Sequence, residues 1–259
     1  MKSHTSGADV LIEVRNFSRS YGTRPAVSDL DFTVRRGELF GLIGPDGAGK
    51  TTTMRTLVTL LRPDAGTLTV AGNDAVRDTR SIRSMIGYMP QRFSLYPDLS
   101  VEQNLRFFGE LFSVPKTELP ARLERLYRFS RLQPFARRLA GRLSGGMKQK
   151  LALSCTLIHN PVLLVLDEPT TGVDPVSRHE FWDILRELRT QGVTILVSTP
   201  YMDEARLCDR IVIMHEGRAL AQGTPDELIA SRPATLTSLA PSLEDVFISL
   251  IEENTRHAN

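Results

Sequence analysis

The chain has 259 residues, 41% hydrophobic and 24% charged, enough to bury a sizeable core as one large domain or two modest ones. Its 32 Lys and Arg against 30 Asp and Glu leave a formal charge of +2, so charge alone implies no nucleic-acid partner. No apolar run approaches the roughly 18 residues needed to cross a bilayer. The two cysteines, Cys155 and Cys208, sit far apart in apolar, helical-looking surroundings, which favours buried free thiols over a disulfide framework or a zinc cluster. Met1 to Asp9 lacks the basic and apolar regions of a signal peptide, so the expected location is cytoplasmic, with any membrane role exercised through a partner.

In chain order, Val10 to Phe17 alternates as a strand, Ser18 to Gly22 turns out of it, and Ala26 to Val34 alternates again. Tyr21 is open to two readings, a ring that stacks on adenine or an aromatic packed on a sheet edge. Glu38 to Ile43 is a buried strand leading into Gly44-Pro45-Asp46-Gly47-Ala48-Gly49-Lys50-Thr51-Thr52, which fits the phosphate-binding spacing G-x-x-x-x-G-K-[ST]. Glycines at 44, 47 and 49 let the backbone aim successive N–H groups at phosphates, helped by the positive end of the helix predicted over Thr51 to Leu61. Lys50 then holds the β- and γ-phosphates, and the Thr51 hydroxyl meets Mg²⁺. The bland alternative is a Gly-rich turn with a surface lysine, and the strand before and helix after it argue against that.

Arg62 to Gly66 breaks the pattern, Thr67 to Gly72 is a short strand and turn, and Ser84 to Met89 is a buried strand ending at Pro90-Gln91. Gln91 is either a ligand to Mg²⁺ or the attacking water through its side-chain oxygen, or a solvated loop amide. From about 93 to 160 the pattern turns helical, over Val101–Phe112, Glu118–Ser130 and Ser144–His159, as an inserted helical subdomain. Arg122, Arg125, Arg128, Arg131, Arg137, Arg138 and Arg142 are read as a solvated face in preference to a patch for an anionic partner.

Leu143-Ser144-Gly145-Gly146-Met147 opens the last of these helices and offers a second anion site from backbone amides, a hydroxyl and the helix dipole, or a simple N-cap. Val162 to Leu166 is an apolar strand running into Asp167 and Glu168. Asp167 would bind Mg²⁺ directly or through water, and Glu168 would accept a hydrogen bond from an attacking water. Gly172 to Pro175 turns into a helix over Val176–Arg189, Val193 to Thr199 is another buried strand, and Pro200 to Ala205 starts a short helix. Arg210–His215 and Ala219–Gly223 form a hairpin about Glu216-Gly217.

Taken together and in this order, GPDGAGKTT, Gln91, LSGGM, LLVLDEP and GVDP resemble the nucleotide-binding domain of ATP-binding cassette (ABC) proteins across nearly the whole chain. The resemblance implies an α/β fold: a P-loop NTPase (RecA-like) core with an antiparallel β subdomain, the helical subdomain at about 93–160, and a C-terminal extension at about 224–259. It implies ATP and Mg²⁺ as ligands, Tyr21 as the adenine-stacking aromatic, and a head-to-tail pair of cassettes. Each ATP then lies between one chain's phosphate loop and the other's Ser144, Gly145 and Gly146, with Asp174 at the turn that crosses the interface. The stretches Tyr96–Leu105, Tyr201–Ala205 and Ser242–Ile248 look like ATPases of drug-resistance and ABC-2 exporters, which implies a separate membrane permease as partner and a peripheral place on the cytoplasmic face of the membrane. No nucleic acid is expected, because the coiled coil, cysteine pairs or doubled cassette of the DNA- and ribosome-acting relatives are not found.

The sequence departs from the family's pattern in three places. Asp46 stands where asparagine is commoner and adds negative charge near phosphates; Met147 replaces a glutamine. Pro200 occupies the position of the family's switch histidine and brings neither a side-chain donor nor an N–H. Glu168 is nevertheless present, so the expectation is an ATPase whose own site turns over slowly in an asymmetric pair. The rival expectations are a regulatory ATP-binding half with little hydrolysis and a non-transport ABC ATPase.

Overall fold

The alternating and the continuous apolar runs separate into two different sheets. A computed structural model describes residues 9–92, 95–231 and 242–258; the expected loose start at 1–8, the head of the helical stretch at 93–94, and 232–241 and 259 of the C-terminal extension lie outside them. The alternating strands β1 (Val10–Tyr21) and β2 (Arg24–Arg35) pair antiparallel, and with β4 (Ala65–Val70) and β5 (Asn73–Asp74) form a four-stranded sheet in the order β2-β1-β4-β5. The turn expected at Ser18–Gly22 is instead strand as far as Tyr21. Irregularities at Asn16 and Asp29, with φ of 48° and 52°, absorb the polar stretch, and the Asn16 side-chain amide donates to Asp29 Oδ1 at 3.0 Å.

The continuous apolar strands build a six-stranded sheet in the order β10-β9-β3-β8-β7-β6, parallel except for its last hairpin. These are β3 (Leu39–Ile43), β6 (Ile86–Met89), β7 (Leu163–Asp167), β8 (Thr194–Thr199), β9 (Arg210–His215) and β10 (Arg218–Gly223). Every residue of β3, β7 and β8 is buried, as expected of parallel strands covered on both faces. The two-residue period sends Phe40, Leu42, Val165 and Val212 to a core shared with the antiparallel sheet and α1 (Lys50–Leu57). It sends Leu39, Ile43, Leu166 and Ile213 to a second core under α5 (Gly145–Leu157) and α6 (Pro175–Thr190).

Two boundaries differ from the sequence reading. Ser84 and Met85 belong to a helix, α2 (Thr79–Met85), whose one buried residue, Ile82, gives no apolar period to read. Helix α1 stops at Leu57 because Thr59 takes a φ of 65° and the amides of Leu60 and Leu61 both turn back to the Arg55 carbonyl. The helical insertion between β6 and β7 holds α3 (Val101–Leu111), α4 (Leu119–Ser130) and α5. Ser100 and Gln103 cap α3 reciprocally. Behind that cap the fully buried Asn104 amide donates to the carbonyls of Tyr96, Leu99 and Ser100 and accepts from the Tyr96 amide, fixing the far end of the loop that carries Gln91. Part of the arginine run is structural: Arg122 donates to the Ile158 carbonyl and Arg125 to Asn160, tying α4 to the end of α5.

After the short α7 (Met202–Ala205), the C-terminal stretch supplies α8 (Pro225–Ala230) and α9 (Leu243–Ala258). Leu243, Val246 and Leu250 form the buried stripe of α9. Both cysteines are buried and free.

Candidate functional site

The phosphate loop leaves the C-terminal end of β3 and is backed by both sheets. A side chain at Gly44 would meet the Met214 carbonyl oxygen at 2.2 Å, and one at Gly49, where φ is 98°, would meet that of Ala26 at 2.6 Å. The Gly217 amide, from the β9–β10 turn, donates to the Ala48 carbonyl at 3.2 Å, and Thr53 Oγ1 donates to that of Gly49 at 3.0 Å. Gly49 is the N-cap of α1, so the positive end of that helix faces the loop.

Lys50, 3% exposed, donates through Nζ to the carbonyls of Gly44 at 2.7 Å and Pro45 at 3.0 Å and pairs with Glu168 Oε1 at 3.1 Å. Glu168 follows the last residue of β7 with a φ of 47°, a left-handed conformation rare for a glutamate and held by the Ser198 carbonyl and hydroxyl, both within reach of its amide. Its carboxylate reaches Lys50 on the loop. The other oxygen, Oε2, accepts from Gln91 Nε2 at 2.9 Å and from Thr171 Oγ1 at 3.3 Å.

Asp167 is fully buried beneath the loop. Its Oδ1 accepts from Thr51 Oγ1 at 3.0 Å and from Ser198 Oγ at 2.8 Å, while Oδ2 is buried without a hydrogen-bond partner. Burial raises its pKa, the bonds from Ser198 and Thr51 oppose that, and Glu168 adds to it. A buried carboxylate oxygen left over beside a threonine hydroxyl is an oxygen-donor set of the kind a hard divalent cation takes when phosphates complete its shell.

These groups open on a cavity of about 1030 Å³ lined by Tyr21, the loop from Pro45 to Thr52, Gln91 and Glu168. Tyr21 stands at the end of β1, its hydroxyl 3.5 Å from Thr52 Oγ1. Gly44 and Asp167 lie behind this wall, in contact with it. Arg24, Pro25 and Ala26 from β2 and His215 and Glu216 from the β9–β10 hairpin also line the cavity, and sequence reasoning missed them. It missed Ser198 too, whose register opposite Asp167 on neighbouring parallel strands places it between both carboxylate residues. No local motif marks Ser198; only the pairing of VST with LVLD does.

The LSGGM segment is elsewhere. Ser144 caps α5, its Oγ accepting from the Met147 amide at 3.3 Å, and Ser144 and Gly145 are exposed. Gly146 is buried against α6, where a side chain would meet Ser177 at 2.4 Å. None of the three lines the Lys50 cavity; Gly145 lines a separate one of about 350 Å³, which shares Gln91 with it. Asp174, at the turn before α6, accepts from the Ser177 amide at 2.9 Å.

Pro200 follows β8, half-buried, and is not among the residues lining the Lys50 cavity. Beside it the Tyr201 amide donates to Thr199 Oγ1 at 3.1 Å, and Glu204 accepts from Thr199 Oγ1 at 2.5 Å and Thr170 Oγ1 at 2.7 Å and pairs with Arg178 at 3.2 Å. Arg178 also covers the Tyr201 ring at 4.4 Å.

The ABC transporter domain matches residues 27–171, more than half of the chain and the span from β2 to the segment after Glu168. This chain belongs to the ABC transporter family. A probable multidrug ABC transporter ATP-binding protein of Escherichia coli K12 is 49% identical over 218 residues, which cover 83% of this ABC chain and 38% of the relative's own length. A Nod factor export ATP-binding protein I of Ralstonia nicotianae is 42% identical over 254 residues, covering 93% of this chain and 79% of that one. The solved structure of an ATP-binding subunit of an ABC transporter matches at 32% identity with a TM-score of 0.81, over 93% of this chain and 99% of that one. The α/β cassette expected from the sequence is the fold observed. Among the described residues no helix is long and apolar enough to cross a membrane.

Proposed function

We propose that this ABC chain is a single cassette that hydrolyses ATP at a head-to-tail dimer interface and drives a separate membrane permease in export, peripheral on the cytoplasmic face of the membrane. The observation that carries it is the Lys50–Glu168–Gln91 cluster at the mouth of a phosphate loop, with a second, exposed serine-glycine segment that does not reach it. A site built this way is completed by the Ser144, Gly145 and Gly146 of another cassette. The export assignment is supported by the names of the multidrug and Nod factor relatives.

In this reading Tyr21 stacks on the base, and the amides of Asp46 to Thr52 with Lys50 hold the phosphates. The γ-phosphate takes Lys50 from Glu168. Freed from its counter-ion but still held through Gln91, Glu168 orients a water and takes its proton as the water oxygen bonds to the γ-phosphorus, the bond to the bridging oxygen breaks and ADP departs with that electron pair. Thr51, Asp167 and Gln91 are the residues that would hold Mg²⁺, which when bound would neutralise charge on the phosphates. Most of the acceleration comes from fixed dipoles and positioning.

Pro200 favours a second reading, a cassette that binds ATP and turns it over little, because proline offers the γ-phosphate no hydrogen bond. Steady-state turnover of the purified chain beside Glu168→Gln separates the two. The proposal expects a loss of at least about a hundredfold in turnover with ATP binding retained. Equal turnover in both proteins refutes Glu168 as the water-orienting group, and tight binding with negligible wild-type turnover moves the assignment to the regulatory reading.

A further inference from the structure

Tyr21 is held from two sides, and one of them has no part in phosphate binding. Arg19 lies two residues earlier on the same face of β1 and sets its guanidinium carbon 5.6 Å from the centre of the Tyr21 ring. It is clamped there by Asp64, in the connection between α1 and β4: Arg19 Nη1 meets Asp64 Oδ1 at 2.5 Å, and Asp64 Oδ2 accepts from the Ser20 amide at 2.7 Å. The Asp64 amide returns a bond to the Ser18 carbonyl at 3.0 Å, so the connection grips the strand on both sides of Arg19. The Ser20 amide and then Arg19 hold the Asp64 carboxyl below its usual range, so the clamp is ionised at neutral pH. Arg19 Nε is buried without a hydrogen-bond acceptor, as befits a guanidinium set against a π surface. The Tyr21 ring itself is 50% exposed and lines the cavity.

We propose that Arg19, clamped by Asp64, is a positioning residue that fixes the Tyr21 ring as the platform on which the nucleotide's base stacks. This rests on the assignment of Tyr21 to the base. A tyrosine at the end of a strand loses rotamer freedom when a base lands on it; a guanidinium already packed on the ring removes that cost before binding. The cation also draws on the ring's electron density, which suits stacking against an electron-rich purine.

The test is calorimetric titration of the full chain with ATP and, separately, with inorganic tripolyphosphate, which engages the phosphate loop without a base. Arg19→Ala and Asp64→Asn are expected to weaken ATP about three- to tenfold and tripolyphosphate less than twofold, with Arg19→Lys intermediate. Tyr21→Ala should weaken ATP at least as much, and adding Arg19→Ala to it should change nothing further. If Tyr21→Ala weakens ATP while Arg19→Ala leaves it unchanged or weakens both ligands equally, the positioning role is refuted and the base assignment stands. If Tyr21→Ala leaves ATP binding unchanged, the base assignment itself is wrong and the proposal goes with it.

Discussion

Lys50 and Glu168 are 3% and 5% exposed and stand 3.1 Å apart, so each is the other's counter-ion. Lys50→Met keeps the aliphatic stem and deletes the ammonium, leaving Glu168 with the Gln91 amide at 2.9 Å and no cation. Breaking a buried pair from one side costs about 3–5 kcal/mol. Here the cavity beside it, about 1030 Å³, lets water approach the bared carboxylate, so about 2 kcal/mol is the expectation. For a chain of this size that is a melting temperature about 4–8 °C lower. Lys50→Met/Glu168→Gln removes both charges while keeping a side chain that still bonds Gln91, and should regain the part of the loss that comes from the unpaired carboxylate, though not the bonds of Lys50 to the Gly44 and Pro45 carbonyls. The assay is thermal unfolding of the wild type, both single variants and the double variant, without nucleotide at one pH and salt concentration. A Lys50→Met protein that melts with the wild type, or a double variant that melts below Lys50→Met, would refute the idea that the two side chains stabilise each other across the site.

Gly146→Ala would drive a methyl within 2.4 Å of Ser177 and force α5 off α6, at a cost of about 1–3 kcal/mol, whereas Gly145→Ala meets nothing within 4 Å and should melt with the wild type. Chemical denaturation of the pair checks the contrast, and equal midpoints would contradict it. The His159 pKa is lowered from 6.5, first by burial and then by the nearby Arg122, against the Ile86 carbonyl 3.2 Å from Nε2. The unfolded chain therefore takes up this proton before the folded one, and stability should fall as pH drops below about 6.5. His159→Gln, which still offers an amide to Ile86, should flatten that slope below about pH 6.5. An unchanged slope would show that His159 is not its source.

The parts of this site that depend on backbone conformation were legible because glycine spacing and an apolar strand declare them locally. The phosphate loop, the Asp167-Glu168 strand end and the LSGGM helix start all stand where the residues placed them. What sequence could not show depends on neighbours distant in the chain. Ser198 lies 31 residues from Asp167 and acquires its role only through strand register. Asn104 looks like an ordinary helix polar residue until its burial behind the Gln91 loop is seen. The left-handed turn at Glu168 carries no glycine to announce it. Helix α2 escaped because a helix with one buried side chain has no period. The β1–β2 hairpin ran longer than its pattern because side-chain bonds at Asn16 and Asp29 carried the pairing through an irregular stretch.

The phosphate loop is bonded on one side to the β9–β10 turn and packed on the other against β2, and Tyr21 stands at the end of β1, the strand paired with β2 in that same antiparallel sheet. In the proposed function, base platform and phosphate cradle therefore both bear on the antiparallel sheet, the cradle being tied to the six-stranded sheet as well. In that same reading, the interval between them is a ruler for the length from base to terminal phosphate. Gln91 instead follows β6 of the other sheet and bonds Glu168, so the group that holds the water-orienting carboxylate rests on the six-stranded core and the base platform does not.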